Sequence, residues 1–146
     1  MSNLKIYFCA SISGGRAMAH VYPFLIDHMK KYGKVMTEHI GNAAMGKKGE
    51  AGITDQEIYE RDLEWLRASD VIVAEVSNPS LGVGYELAYA ESINKPILAL
   101  FNDQSSFRLS AMVAGCSHME VFRYDEMEVA TARIDTFFQK NFNQQV

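Results

Sequence analysis

Short apolar runs alternate with longer amphipathic ones along the chain. Lys5–Ala10 is apolar and leads into Ser11-Ile12-Ser13-Gly14-Gly15, the pattern of a buried strand followed by a tight loop. From Ala17 to Tyr32, the residues Val21, Phe24, Leu25 and Met29 recur at helical spacing, and Gly33 is expected to stop that helix. Val35–His39 reads as a brief second strand. Residues 41–53 carry Gly41, Gly46, Gly49 and Gly52 with Lys47, Lys48 and Glu50, and read as a mobile loop. Thr54 and Glu57 have the spacing of a capping box that opens a helix running to about Ser69. Asp70–Val76 is the clearest buried strand, because β-branched residues run almost without interruption. A loop over Ser77–Gly84 then precedes a helix over Tyr85–Asn94, and Pro96–Phe101 is a fourth strand. A helical turn within Arg108–Val113 leads to a fifth strand, Glu120–Tyr124. Asp125–Phe142 closes as an amphipathic helix with Val129, Ile134, Phe137 and Phe138 on one side.

Strands with continuous apolar character, separated by amphipathic helices, predict an α/β fold: a doubly wound, five-stranded parallel sheet covered on both faces. The expected strand order is the flavodoxin-like 2-1-3-4-5, in a single domain spanning residues 1–146. The topological switch point then falls between the first and third strands, and ligands bind outside the strand C-termini at such points. The loops leaving those two strands, Ser11–Gly15 and Ser77–Gly84, are also the richest in glycine and serine, as a phosphate-sized anion requires.

Composition narrows the partners. With 48% hydrophobic and 22% charged residues the chain fits none of the disordered, collagen-like or disulfide-scaffold classes. A net charge of -4 gives no general attraction for nucleic acid or an anionic membrane, so an anionic ligand needs a local site. Cys9 and Cys116 lie far apart without a C-x-x-C pattern, which suits a reducing compartment. Met1–Lys5 lacks the apolar core of a signal peptide, and no apolar stretch approaches the length of a membrane span. A cytoplasmic location is expected.

Four places carry candidate chemistry. Ser11–Arg16 follows a strand and opens a helix, where inward-turned N–H groups and about half a positive charge suit an anion; the plain alternative is a strand-to-helix turn. Its spacing matches neither G-x-G-x-x-G nor a Walker A loop, which argues against nicotinamide cofactors and ATP. Glu86 follows Pro79-Ser80-Leu81-Gly82-Val83-Gly84-Tyr85 and is expected in the first turn of the next helix. It either complements the macrodipole or is kept ionised by that field as a nucleophile at the crevice mouth. Asp62 lies four residues after Ile58 and four before Leu66, so it should point partly inward; pairing at a surface edge with Arg61 or Arg67 is the alternative. Tyr7 alternates with Phe8, so they face opposite sides of the sheet, and the Tyr7 hydroxyl either meets a carboxylate or is a polar tip on a core residue. His20, His28, His39 and His118 have no ligand-like spacing, so neither a metal nor another cofactor is expected.

Taken in order, Lys5–Ile12, Gly14-Gly15-Arg16, Thr37-Glu38-His39, Asp62–Leu66, Asp70–Val76, Pro79–Leu87 and Leu109–Met112 closely resemble the 2'-deoxynucleoside 5'-phosphate N-hydrolases, relatives of the nucleoside 2-deoxyribosyltransferases. The resemblance covers nearly the whole chain and implies hydrolysis of the N-glycosidic bond of deoxynucleoside monophosphates to a free base and 2-deoxyribose 5-phosphate. By matching positions it implies Glu86 as nucleophile, Asp62 as general acid to the departing base and Tyr7 as the residue that orients Glu86. It assigns Ser11, Ile12, Ser13, Gly14, Gly15, Ser80 and Gly82 to the 5'-phosphate. It further implies a homodimer in which Ser110 completes the partner's pocket. Ser13 departs from the family, where arginine is frequent, which points to a weaker hold on phosphate. Two carboxylates at a crevice suit retaining glycoside chemistry on independent grounds, and a missing 2'-hydroxyl eases formation of the cation. The rival readings are a deoxyribosyltransferase, a cytidylate-type ribonucleotide hydrolase and a nucleotide-binding module without catalysis.

Overall fold

The computed structural model describes residues 3–12, 18, 20–41 and 52–143. Strands β1 (Leu4–Ala10), β2 (Gly33–Val35), β3 (Val71–Glu75), β4 (Ile97–Asn102) and β5 (Met119–Tyr124) alternate with helices α1 (Val21–Met29), α2 (Asp55–Ala68), α3 (Leu81–Ser92), α4 (Ala111–Ala114) and α5 (Met127–Phe142). All strand pairs are parallel and the order is β2-β1-β3-β4-β5, as the alternation of elements predicts. Ile6 aligns with Val71 and Ala10 with Glu75, so the C-terminal ends of β1 and β3 finish level at the switch point.

The pleat divides the core. Phe8, Val73, Leu98 and Leu100 pack against Tyr22, Leu25 and Met29 of α1 and Ile134, Phe137 and Phe138 of α5. Tyr7, Cys9, Ile72, Ala74 and Ala99 pack on the other face against Leu66 of α2 and Val83, Leu87 and Ala90 of α3. Tyr7 and Phe8 therefore take opposite faces, as period-two alternation requires. Phe24 and Val129 do not join the core: they are 47% and 39% exposed, and Tyr22, Ile26 and Ala130 fill the inward positions of α1 and α5 instead.

Three boundaries differ from those expected. Gly33 is the first residue of β2, paired with Leu4, and does not end a helix. A Cβ there would sit 2.1 Å from the Leu4 carbonyl oxygen, so the close approach of the two backbones needs glycine. The strand expected to reach His39 ends at Val35, because the Thr37 side chain takes over the ladder. Its buried hydroxyl accepts from the Phe8 N–H at 2.9 Å and donates to the Phe8 carbonyl at 2.6 Å, and Glu38–Gly41 then forms a 3-10 turn. Finally, α3 starts at Leu81 and not at Tyr85. The Ser80 hydroxyl accepts from the Val83 N–H at 3.2 Å and caps the helix, which draws Gly82 and Gly84 into it. The cap expected of Thr54 is present on α2, where its hydroxyl accepts from the Glu57 N–H at 3.1 Å. The Gly-rich segment over 42–51 lies outside the described residues.

Thr37→Val keeps the volume but strands a buried N–H and a buried C=O of Phe8. It should destabilise the protein by about 2 kcal/mol, read as a lower urea midpoint with an unchanged slope.

Candidate active site

The face of the sheet covered by α2 and α3 gathers the titratable groups. Tyr7 is 1% exposed on β1, and its hydroxyl donates to the Glu86 carboxylate. Burial, then the Glu86 charge, pushes the phenol far above its usual range, so it remains a donor. Because α3 begins at Leu81, Glu86 sits in the second turn of the helix, beyond the stretch where the macrodipole acts strongly. The expectation that this field keeps the carboxylate ionised is therefore wrong. Burial raises the Glu86 carboxyl from 4.5 to about 7, the Tyr7 hydrogen bond opposes that rise, and the charge of Asp62 adds to it.

Asp62 comes from α2, with its side chain 22% exposed. Arg61 donates through Nε at 2.9 Å and Nη2 at 2.8 Å to a single oxygen, Oδ1. The guanidinium lies over the Trp65 ring, 4.6 Å from its centroid, which steadies a contact that neighbouring helix positions do not ordinarily make. Both readings of Asp62 thus hold together: it pairs with Arg61, and its charge reaches Glu86, Tyr7 and Cys9. Cys9 is a member of this group that motif reading passed over. It is 1% exposed, two residues along β1 from Tyr7 on the same face, and burial together with the Glu86 and Asp62 charges keeps its thiol neutral. The i, i+2 spacing from Tyr7 was the signal that places it there.

The candidate anion-binding residues divide. Ser11 is buried directly after β1, and Ile12 is 38% exposed. Ser13, Gly14 and Gly15 lie outside the described residues. Ser80 caps α3, and a Cβ built on Gly82 would lie 3.8 Å from the Ser80 hydroxyl and 4.0 Å from Glu86 Oε1. Ser80, Gly82 and Glu86 therefore form one cluster with space beside it. Ser110 is exposed and caps the short α4 through the Met112 N–H at 3.2 Å. It lines a pocket of about 310 Å³ together with Ser80, Leu81 and Asn78 of its own chain.

A family model described as nucleoside 2-deoxyribosyltransferase matches residues 6–139. The chain belongs to this family. It is 51% identical over 131 residues to the 5-hydroxymethyl-dUMP N-hydrolase of Mus musculus, a match that covers 87% of this chain and 76% of that one. Against the protein of the same name from Homo sapiens it is 47% identical, covering 92% and 79%. A protein of Trichoplax adhaerens named "Putative 2'-deoxynucleoside 5'-phosphate N-hydrolase 1" is also 47% identical, covering 94% and 95%. Among solved structures, a CMP N-glycosidase of Clostridium botulinum superposes with a TM-score of 0.61 over 91% of this chain and 98% of its own. At 13% identity that likeness shows the shared fold.

A carboxyl raised on folding destabilises the protein once it ionises. Its cost is absent below the unfolded value of 4.5 and complete above about 7. Across that window the wild type should lose stability on this account with a slope approaching about 1.4 kcal/mol per pH unit, and Glu86→Gln should remove that component. Denaturant midpoints at a series of pH values check this; parallel curves for the two proteins contradict it.

Proposed function

We propose that the protein is an N-glycosidase that hydrolyses 2'-deoxynucleoside 5'-monophosphates to a free base and 2-deoxyribose 5-phosphate. The observation that carries this reading is the half-buried Glu86 carboxylate, held by the Tyr7 hydroxyl and facing the charge of Asp62 at the switch point. The names of the 47–51% identical relatives support the same bond and the same class of substrate.

In this mechanism Asp62 takes up a proton from solvent as the substrate binds, Glu86 attacks the anomeric carbon while the C–N bond breaks, and the base leaves with that proton. The Asp62 carboxylate then takes a proton from water, whose oxygen displaces Glu86 from the same carbon. Tyr7 orients Glu86 throughout. Two carboxylates flanking the reacting carbon in this way give retention, through a cation that a deoxyribose forms more easily than a ribose. Ser11, Ile12, Ser13, Gly14, Gly15, Ser80 and Gly82 hold the 5'-phosphate in this reading.

A homodimer completes the proposal. Leu81, which lines the pocket with Ser80 and Ser110, is 97% exposed, and Met112, whose N–H meets the Ser110 hydroxyl, is 84% exposed. Apolar side chains this far out suit a second copy, with Ser110 reaching the partner's phosphate. Both cysteines are free, which suits a reducing cytoplasm.

The test is base release from deoxynucleoside monophosphates, the matching ribonucleotides and the unphosphorylated deoxynucleosides. Release is expected from the deoxy monophosphates. Glu86→Ala should abolish it, and Asp62→Asn should lower turnover by about 10²–10⁴-fold. Activity should rise as pH passes about 7, where Glu86 ionises. Release from nucleosides with transfer to an added base would move the protein to the transferase branch. Monophosphate binding without any release would leave only a binding module. Leu81→Lys should convert the dimer to monomer in sedimentation and weaken the monophosphate preference.

A further inference from the structure

The sheet face away from Glu86 carries a second buried polar cluster that the mechanism does not use. Tyr22, in the first turn of α1, is 7% exposed and packs edge-on to Phe8 with ring centroids 6.0 Å apart. Its hydroxyl donates to the Ser11 carbonyl at 3.1 Å and accepts from the Asn78 side chain. A phenol oxygen can do both at once. Ser11 immediately follows β1, and Asn78 stands two residues before Ser80 in the segment leaving β3. One hydroxyl therefore joins the two loops assigned above to the phosphate.

The β3 segment is anchored firmly on its far side. The Ser77 N–H donates to Glu75 Oε1 at 2.7 Å, the Ser77 hydroxyl accepts from the Asn102 N–H at 2.8 Å, and the Ser77 carbonyl accepts from the Ser105 hydroxyl at 2.8 Å. Glu75 is 1% exposed and also accepts from the Tyr124 hydroxyl. The described start of the loop after β1 is tied to the same side of the sheet by the Tyr22 bond to the Ser11 carbonyl. Planarity of the trans peptide adds direction: with the Ser11 C=O drawn toward Tyr22, the Ile12 N–H of the same peptide points the opposite way, out from the α1 side.

We propose that Tyr22 and Asn78 form a bracket that fixes the separation and peptide orientation of the two anion-binding loops, making them positioning residues for the 5'-phosphate. This rests on the reading of the site above. The bracket acts on phosphate affinity and selectivity and leaves the chemistry at Glu86 alone.

Tyr22→Phe removes only the hydroxyl and keeps the ring against Phe8. In this variant KM for a deoxynucleoside monophosphate should rise about tenfold, with kcat within about twofold of wild type. The kcat/KM for the matching unphosphorylated deoxynucleoside should stay unchanged, so phosphate selectivity falls about tenfold. Asn78→Ala should do the same, and the double variant should be no worse than either single one, because both remove one link. Equal losses on the two substrates, or none on either, overturn the bracket. Calorimetric binding of 2-deoxyribose 5-phosphate gives a readout without turnover and should weaken about tenfold in Tyr22→Phe. Release of base by wild type with no effect of Tyr22→Phe sinks the bracket alone. Weakened sugar-phosphate binding in Tyr22→Phe, with no base release by wild type, sinks the glycosidase reading alone. A wild type that binds no 2-deoxyribose 5-phosphate overturns both.

Discussion

The arrangement depends on one carboxylate being partly taken out of water. Glu86 is half-buried on α3 with the Tyr7 hydroxyl of β1 as its donor, and a carboxylate stripped of part of its water is costly in its charged form. The Tyr7 bond offsets part of that cost, and neutralisation near pH 7 relieves the rest. The surrounding geometry follows from this requirement. Parallel pairing of β1 with β3 sets Tyr7 in register with Ile72, and the Ser80 cap sets the phase of α3. Starting the helix one residue later would swing the Glu86 position by about 100° and take it away from Tyr7.

Two acids, Glu75 fully buried and Glu86 half-buried, meet a tyrosine at this end of the sheet, and the contrast between them shows what makes one of them reactive. Glu75 accepts from Tyr124 and from the Ser77 backbone, and burial raises its carboxyl while those bonds hold it down. Its oxygens are committed to holding a loop. Glu86 has the Tyr7 donor, lies beside Asp62, and adjoins the open side of Gly82. The first pair fixes backbone; the second presents an oxygen to a ligand. The sheet separates the two tasks, with the proposed chemistry on the α2–α3 face and the proposed loop bracket on the α1 face.

The sheet order was legible because buried parallel strands require uninterrupted apolar residues, as Val71–Ala74 shows, and because crossovers have one hand. The inward placement of Asp62 and the opposite facing of Tyr7 and Phe8 followed from helical and strand periods. The start of α3 did not. Leu81-Gly82-Val83-Gly84 has poor helix propensity, and a single serine cap outweighed it. That shift moved Glu86 out of the first turn, so in place of a dipole that would keep it ionised, burial raises its carboxyl. The Thr37 substitution for a ladder residue and the Tyr22–Asn78 link were invisible for a different reason. Each joins segments that only the folded sheet brings together, and neither leaves a periodic trace in the chain.

The central claim is that Glu86 forms a bond to the sugar. Intact-mass analysis of rapidly quenched turnover, using a deoxynucleoside monophosphate fluorinated at the 2' position to slow hydrolysis of the adduct, addresses it directly. The account predicts an added fluorinated deoxyribose-phosphate mass, located by digestion on the peptide containing Glu86 and absent from Glu86→Ala. Base release by the wild type without such an adduct, and with substantial activity left in Glu86→Ala, would contradict it.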